Sequence, residues 1–202
     1  VNDSTNIRLK VAQDLINGLP ANSRIGIVRF ESWTTKLTNK LSDSKSAVNG
    51  FLTADYFHSN GLTYMYTAIN DTFSLFESEE DTTMRIIVVL SDGDTFDTEM
   101  HSSVVDKAIN KGVQIFTIGL GSSTNYFTNY LKPLAESTGG KFYLAGEAID
   151  LGLIYKDIGE KIDIITDTDG DGIPDYYEDN MVLFNGIKIK LDKNNPDTDG
   201  DG

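Results

Sequence analysis

Regularly spaced acidic side chains near the C-terminus form the clearest chemical pattern in the sequence. From Asp167 to Glu178, oxygen donors stand at loop positions 1, 3, 5, 7, 9 and 12, with Gly172 at position 6. The donors are five carboxylates and one backbone carbonyl, those of Asp167, Asp169, Asp171, Asp175 and Glu178 and that of Ile173. Alternate residues of a curled loop point inward, and six oxygens suit Ca²⁺ better than Mg²⁺. The spacing therefore predicts a calcium-binding loop.

The same phrase begins again thirty residues later. Residues 195–202 (NPDTDGDG) place Asp197, Asp199 and Asp201 at the first three ligand positions of a second loop, which is truncated. The first loop has EF-hand-type spacing, except for Pro174, and the two phrases together resemble thrombospondin type 3-like calcium repeats. The alternative is a solvated acidic linker, which the repulsion within D-x-D-x-D disfavours unless a cation is present.

A second set of candidate ligands lies in two polar loops. Asp92 directly follows the apolar run Arg85–Ser91, and Thr63 opens a helical pattern after the polar residues 60–61. A carboxylate and a hydroxyl are hard oxygen ligands, the kind that Mg²⁺ takes while retaining several waters. On spacing alone, the alternative is ordinary local structure, with Thr63 as a helix N-cap and Asp92-Gly93 as a tight turn.

The elements that must position these loops alternate between strands and helices. Strands are predicted over residues 24–30, 35–41, 85–91, 113–120 and 141–144, and helices over 7–19, 44–52, 63–76, 101–110, 126–136 and 151–162. The run RIIVVLS is typical of a strand buried on both faces of a parallel sheet. The alternation predicts an α/β fold with a doubly wound, mostly parallel sheet and helices on both faces. In such folds ligands bind at the carboxyl ends of the strands.

Charge divides the chain into two parts. The formal net charge of the chain is −14. Residues 163–202 contain 11 acidic and 3 basic residues, whereas residues 1–162 contain 20 acidic and 14 basic residues. We therefore expect an α/β domain at 1–162 and a calcium-binding tail at 163–202.

The acidic excess disfavours nucleic acid and anionic membranes as partners. No apolar run reaches the roughly 18 residues of a membrane span, and the absence of cysteine excludes disulfides and thiolate metal sites.

Six phrases carry a family resemblance over residues 6–162. In chain order they are RLKVAQDLINGLP, RIGIVRF, GLTYMYTAI, RIIVVLSDGDT, GVQIFTIGLG and LAESTGGKFYLA, and together they resemble a von Willebrand factor A domain. The resemblance implies a metal-ion-dependent adhesion site made of a D-x-S-x-S loop, a threonine and an aspartate, with Thr63 and Asp92 in the last two places. It also implies Mg²⁺ or Mn²⁺ at that site, with one position open for the carboxylate of a protein partner.

The family's first strand and its D-x-S-x-S loop have no counterpart in the sequence. Residues 1–5 (VNDST) look like the segment after that loop, so Asp3 and Ser4 are not its equivalents. The missing strand would lie between the strands at 24–30 and 85–91, so we expect a gap or an improvised pairing there. We expect the chain to be an N-terminally truncated piece of a longer protein, and a domain that has lost the loop is the alternative.

Binding is favoured over catalysis. His58 and His101 are the two histidines, both expected at the surface or in loops, and no nucleophile-elbow or phosphate-loop phrase is present. We expect no enzyme activity. For Trp33 and the pair Tyr64 and Tyr66, the sequence leaves three places open: a partner surface, the core, or chance exposure.

Two functions follow from these patterns. The first is a secreted or cell-surface adhesion module, bacterial by the style of its phrases, with a calcium-stiffened stalk. The alternative is a calcium-dependent structural spacer in a large surface protein, without metal-mediated ligand binding.

Overall fold

The computed structural model describes most of the chain in segments. They are residues 7–56, 62–77, 84–91, 94–121, 125–146, 150–165, 182–184 and 187–189, with Asp192, Asn194 and Asn195. The chain forms two compact units, residues 1–155 and 156–202. The domain boundary after residue 162 stays a prediction.

Parallel strands dominate the first unit. Strands β3 (Arg85–Ser91), β4 (Val113–Leu120) and β5 (Phe142–Ala145) form a parallel sheet in the order β3-β4-β5. Strands β1 (Val28–Phe30) and β2 (Thr34–Lys36) form a separate antiparallel pair. Within the described segments no ladder joins the two sheets, which agrees with the expected gap between the strand at 24–30 and β3.

The described segments contain six α-helices. They are α1 (Ile7–Gly18), α2 (Lys45–Asn49), α3 (Met65–Thr72), α4 (His101–Asn110), α5 (Lys132–Ser137) and α6 (Leu151–Ile165). Short 3₁₀ helices occupy residues 54–56, 73–76 and 98–100, and a π-helical turn covers 127–131. Gly112 and Gly139, with φ of 62° and 78°, end α4 and α5 in the left-handed conformation that glycine adopts without steric cost. The predicted doubly wound α/β class is confirmed.

Several predicted bounds are wrong in detail. Of the strand predicted over 24–30, only Val28–Phe30 pairs as a regular strand. Before it, the amide of Ile27 donates to the side chain of Thr38 (3.0 Å), and Ile25 forms an isolated bridge with Ser42. The partner strand covers Thr34–Lys36 rather than 35–41. The helix predicted over 63–76 starts at Met65 and tightens into a 3₁₀ turn after Thr72.

Apolar side chains from α3, α4, α5, β3, β4 and the π-helical turn contribute to the larger core cluster. Its fully buried members include Met65, Tyr66, Val104, Ile115 and Phe127. A smaller cluster joins α1 to α2 through Leu9, Ile16, Val48 and Leu52. Strand β4 is buried along nearly its whole length, as expected for the middle strand of the three.

The second unit contains a small hairpin. Strands β6 (Val182–Phe184) and β7 (Ile187–Ile189) pair antiparallel. The calcium loop at 167–178 and the second copy at 197–202 lie outside the described residues. No helix in the described part of the chain is both long enough and apolar enough to span a bilayer.

Candidate functional site

Three loops meet beside the start of helix α3. We call them the tryptophan loop (residues 31–33, after β1), the threonine loop (62–64) and the aspartate loop, which follows β3 and is described over 94–97. The amide of Tyr64 donates to the carbonyl of Glu31 (3.1 Å), and the amide of Leu62 donates to the hydroxyl of Ser32 (2.9 Å). The threonine loop is thereby fixed to the tryptophan loop.

The aspartate loop is bonded to the other side of Thr63. The amide of Phe96 donates to the backbone carbonyl of Thr63 (2.9 Å), and the hydroxyl of Thr95 lies 2.9 Å from the same oxygen. Thr63 itself is half-buried. The structure thus brings Thr63 against the loop that contains Asp92. Asp92 lies outside the described residues, so the pairing of these two side chains stays a prediction.

The first turn of α3 takes its cap from the aspartate loop. Its N-cap residue, Tyr64, makes no side-chain capping bond, so the alternative prediction of Thr63 as N-cap is wrong. Instead the hydroxyl of Thr95 accepts from the amide of Met65 (2.8 Å), and the carboxylate of Asp97 accepts from the amide of Thr67 (2.7 Å). A carboxylate is favourable there because the first helical amides lack partners within the helix.

Asp97 is the centre of a small buried network. Its side chain is 2% exposed and accepts hydrogen bonds from the amide and the hydroxyl of Thr67 and from the hydroxyl of Thr95, the last at 2.5 Å. Three donors satisfy a buried carboxylate that would otherwise be costly to remove from water. Sequence reasoning missed Asp97. A tyrosine at the N-cap indicates that another part of the chain caps the helix. No pattern in the sequence identifies Asp97, thirty residues after Thr67, as that capping residue.

A group of aromatic side chains lies near this network. The hydroxyl of Tyr66 and Nδ1 of His101 are 2.8 Å apart, and Tyr126 stacks on Tyr130 with ring centroids 5.4 Å apart. Burial raises the pKa of both Tyr66 and Tyr126, and the nearby carboxylate of Asp97 raises them further. Burial also lowers the pKa of His101. These groups are therefore neutral at pH 7. His101 starts helix α4 and is half-buried, so its expected place at the surface or in a loop is wrong.

The described part of the three loops does not by itself form a cation site. Within the tryptophan, threonine and aspartate loops as described, the charged side chains are Glu31, Asp94 and Asp97, all of them acidic. Glu31 pairs with Arg29 (3.2 Å), Asp97 is occupied by its three donors, and Asp94 is exposed. The described segments contain no cluster of three or more metal-binding side chains. Further ligands would have to come from residues outside them, such as Asp92.

Comparison with known families decides the classification of the domain. A model of the von Willebrand factor type A domain matches residues 3–156. The chain belongs to this family. No curated protein sequence matches the chain significantly.

Several solved structures share the fold at low sequence identity. One from Catenulispora acidiphila is 15% identical with a TM-score of 0.65, and the match covers 80% of this chain and 40% of that one. An aerotolerance-related membrane protein from Bacteroides fragilis is 20% identical, with a TM-score of 0.60 and coverages of 77% and 88%.

Proximal thread matrix protein 1 of the mussel byssus, in a form with zinc in its MIDAS motif, is 17% identical. Its TM-score is 0.60, with coverages of 77% and 39%. The chain therefore spans about two fifths of the length of two of these three relatives.

Proposed function

We propose that the domain is a protein-binding module that holds a divalent cation, Mg²⁺ or Mn²⁺, at the junction of the threonine and aspartate loops. Thr63 and Asp92 would be two of its ligands. The observation that carries the proposal is the hydrogen bond from the amide of Phe96, in the aspartate loop, to the carbonyl of Thr63 (2.9 Å). The zinc-containing MIDAS motif of the mussel protein, on the same fold, supports it.

The remaining ligands would come from a D-x-S-x-S loop ahead of residue 1. The separation of β1–β2 from β3–β5 supports this part of the proposal, since a strand between them would end at the same edge of the sheet as Thr63. The cation would act as a Lewis acid that binds a carboxylate of the partner, while the chain's own loops orient it. Without such a loop, the structural spacer is the second candidate.

Mn²⁺ is a direct probe of the cation site because it broadens NMR signals of nearby nuclei. In the longer protein that carries the proposed D-x-S-x-S loop, and with the tail saturated with Ca²⁺, Mn²⁺ is expected to broaden the amide signals of residues 62–64 and 94–97 before those of 109–112, at the opposite edge of the sheet. Asp92→Ala should weaken this effect about tenfold or more, whereas Asp106→Ala, which removes an exposed charge from α4, should not. Broadening that is uniform, or unchanged in Asp92→Ala, would favour the spacer.

We further propose that residues 167–178 bind Ca²⁺ and stiffen the tail into a stalk, as in secreted or cell-surface proteins. The support is the spacing of five carboxylates around Gly172, together with the concentration of negative charge in the tail.

Calorimetry tests the calcium loop. We expect one binding event with a dissociation constant of about 10⁻⁴–10⁻³ M, typical of extracellular modules, and its loss in Asp169→Ala. Asp179→Ala removes the same charge just outside the ligand positions and should leave the binding heat intact. Equal heats from both variants, or no heat from the unmodified chain, would contradict the proposal.

A further inference from the structure

Side chains fasten helix α3 to the segment that begins in the aspartate loop. Four contacts do so, and in order along α3 they join Met65 to Thr95, Tyr66 to His101, Thr67 to Asp97 and Asn70 to Lys107. The segment from residue 95 to residue 107 is therefore held against one helix at four points. Among these contacts, only the one at His101 includes a group whose ordinary pKa lies close to neutral pH.

The Tyr66–His101 contact lies between α3 and the start of α4. Tyr66 is fully buried, and its hydroxyl is 2.8 Å from Nδ1 of His101. The two rings meet edge to face with their centroids 5.5 Å apart, and the ring of Tyr130, on the π-helical turn, lies 5.9 Å from that of His101. His101 is half-buried and is the first residue of α4. Its imidazole is thus flanked by aromatic rings from two elements.

A proton on His101 is unfavourable in this place. Burial separates the imidazolium from water and lowers the pKa of His101 below its ordinary value of 6.5. The N-terminus of α4 carries a partial positive charge, which repels a cation on its first residue. A hydroxyl that donates to Nδ1 would also have to turn away once that nitrogen carries a hydrogen. The neutral imidazole therefore fits the contact better than the imidazolium.

The other charged and titratable groups near His101 do not compensate for its burial. Tyr130 flanks His101, and Tyr126 stacks on Tyr130. The charged side chains of the surrounding helices and turns are Asp71 on α3, Asp97 and Glu99 before α4, Asp106 and Lys107 on α4, and Lys132 and Glu136 on α5. The carboxylate of Asp97 already accepts three hydrogen bonds. Burial is therefore the dominant influence on the pKa of His101.

We propose that the Tyr66–His101 contact is a pH-sensitive latch, which holds the aspartate loop against α3 while His101 is neutral and releases it when His101 is protonated. Opening of the loop returns His101 to water, where its pKa has the ordinary value of about 6.5. Because the closed form takes up the proton less readily, a fall in pH below about 6.5 favours the open form, down to the lower pKa of the closed form. The latch requires neither a cation nor a partner, so it goes beyond the proposed function.

Limited proteolysis with thermolysin measures the opening of the aspartate loop. The enzyme cleaves before large apolar residues, and the amide of Phe96 is held by the carbonyl of Thr63 while the loop is closed. The rate of cleavage before Phe96 is divided at each pH by the rate for a synthetic peptide of residues 92–99, which cancels the pH dependence of the protease. This ratio reports the open population when the loop recloses faster than it is cut. We expect the ratio to rise about threefold or more when the pH is lowered from about 7.5 to about 5.5.

Three variants and a second cleavage site make the test specific. His101→Gln removes the titrating group and should leave the ratio independent of pH, whereas His58→Gln removes the other histidine of the chain and should keep the full rise. Tyr66→Phe deletes only the hydroxyl and should raise the ratio already at the higher pH. Cleavage before Ile109, which is 55% exposed at the other end of α4, should not change with pH.

Each contrary result overturns the latch. A rise that persists in His101→Gln assigns the pH dependence to another group, and an equal rise before Ile109 assigns it to unfolding of the whole domain. An unchanged ratio for Tyr66→Phe at the higher pH shows that the hydroxyl does not hold the loop. If His101→Gln does not fold, NMR titration of the imidazole of His101 in the unmodified chain replaces it. A midpoint below 6.5 then supports the latch, and a midpoint at or above 6.5 contradicts it.

Discussion

Asp97→Ala is expected to lower the free energy of unfolding by about 3 kcal/mol. The substitution leaves the amide and the hydroxyl of Thr67 without this acceptor, whereas the hydroxyl of Thr95 can donate to the carbonyl of Thr63 (2.9 Å) instead. Each buried donor left unsatisfied costs about 1–3 kcal/mol, although such costs do not add fully because the groups relax. Loss of the cap to α3 contributes in the same direction.

Urea denaturation of two matched variants measures this effect. Asp94→Ala removes the same side chain from an exposed position three residues earlier and should change stability by no more than about 0.5 kcal/mol. Asp97→Asn retains one acceptor oxygen for the amide of Thr67, and its loss should lie between the two. Equal stabilities for Asp94→Ala and Asp97→Ala would show that the network does not contribute.

Gly140→Ala should have a still larger effect and is expected to cost more than about 4 kcal/mol or to prevent folding. A Cβ at residue 140 would lie 2.1 Å from the carbonyl oxygen and 2.6 Å from the carbonyl carbon of Ile115. These are backbone atoms of β4, so no side-chain rotation relieves the overlap. The chain passes this point just before it enters β5, where the carbonyl of Lys141 accepts from the amide of Thr117 (3.1 Å).

Gly18→Ala is the control for the effect of a glycine substitution itself. Gly18 is the last residue of α1 and has open space at its Cβ position. Alanine favours the helix by up to about 1 kcal/mol, so this variant should be as stable as the unmodified chain or more so. Soluble yield and the midpoint of thermal unfolding distinguish the two variants. A Gly140→Ala variant with unchanged stability would contradict the close approach to Ile115.

Long apolar runs were predictable from the sequence. Strands β3 and β4 have their predicted bounds, because RIIVVLS and VQIFTIGL consist mainly of β-branched and other apolar residues. The fold class followed from their alternation with helices. Thr63 was located by resemblance, and the structure places it against the aspartate loop.

Features that depend on tertiary contacts were not predictable. The start of α3 is set by Thr95 and Asp97, which are remote in sequence. Residues 127–131 form a wider turn, in which the amide of Lys132 donates to the carbonyl of Phe127, directly ahead of Pro133. Proline has no amide hydrogen for the helical ladder, but nothing local indicates that the turn before it widens. The exposure of Trp33 and the burial of Tyr66 were left open by the sequence.

The cap of α3 makes hydrogen exchange in the first turn of the helix depend on the aspartate loop. The amide protons of Met65 and Thr67 are held by side chains of another loop, so they exchange with solvent when that loop opens, even if the helix itself stays wound. The exchange of these two amide protons therefore reports the opening of the aspartate loop. Any ligand that closes the loop would slow the exchange of both protons together, and these two protons report occupancy of the site from inside the domain.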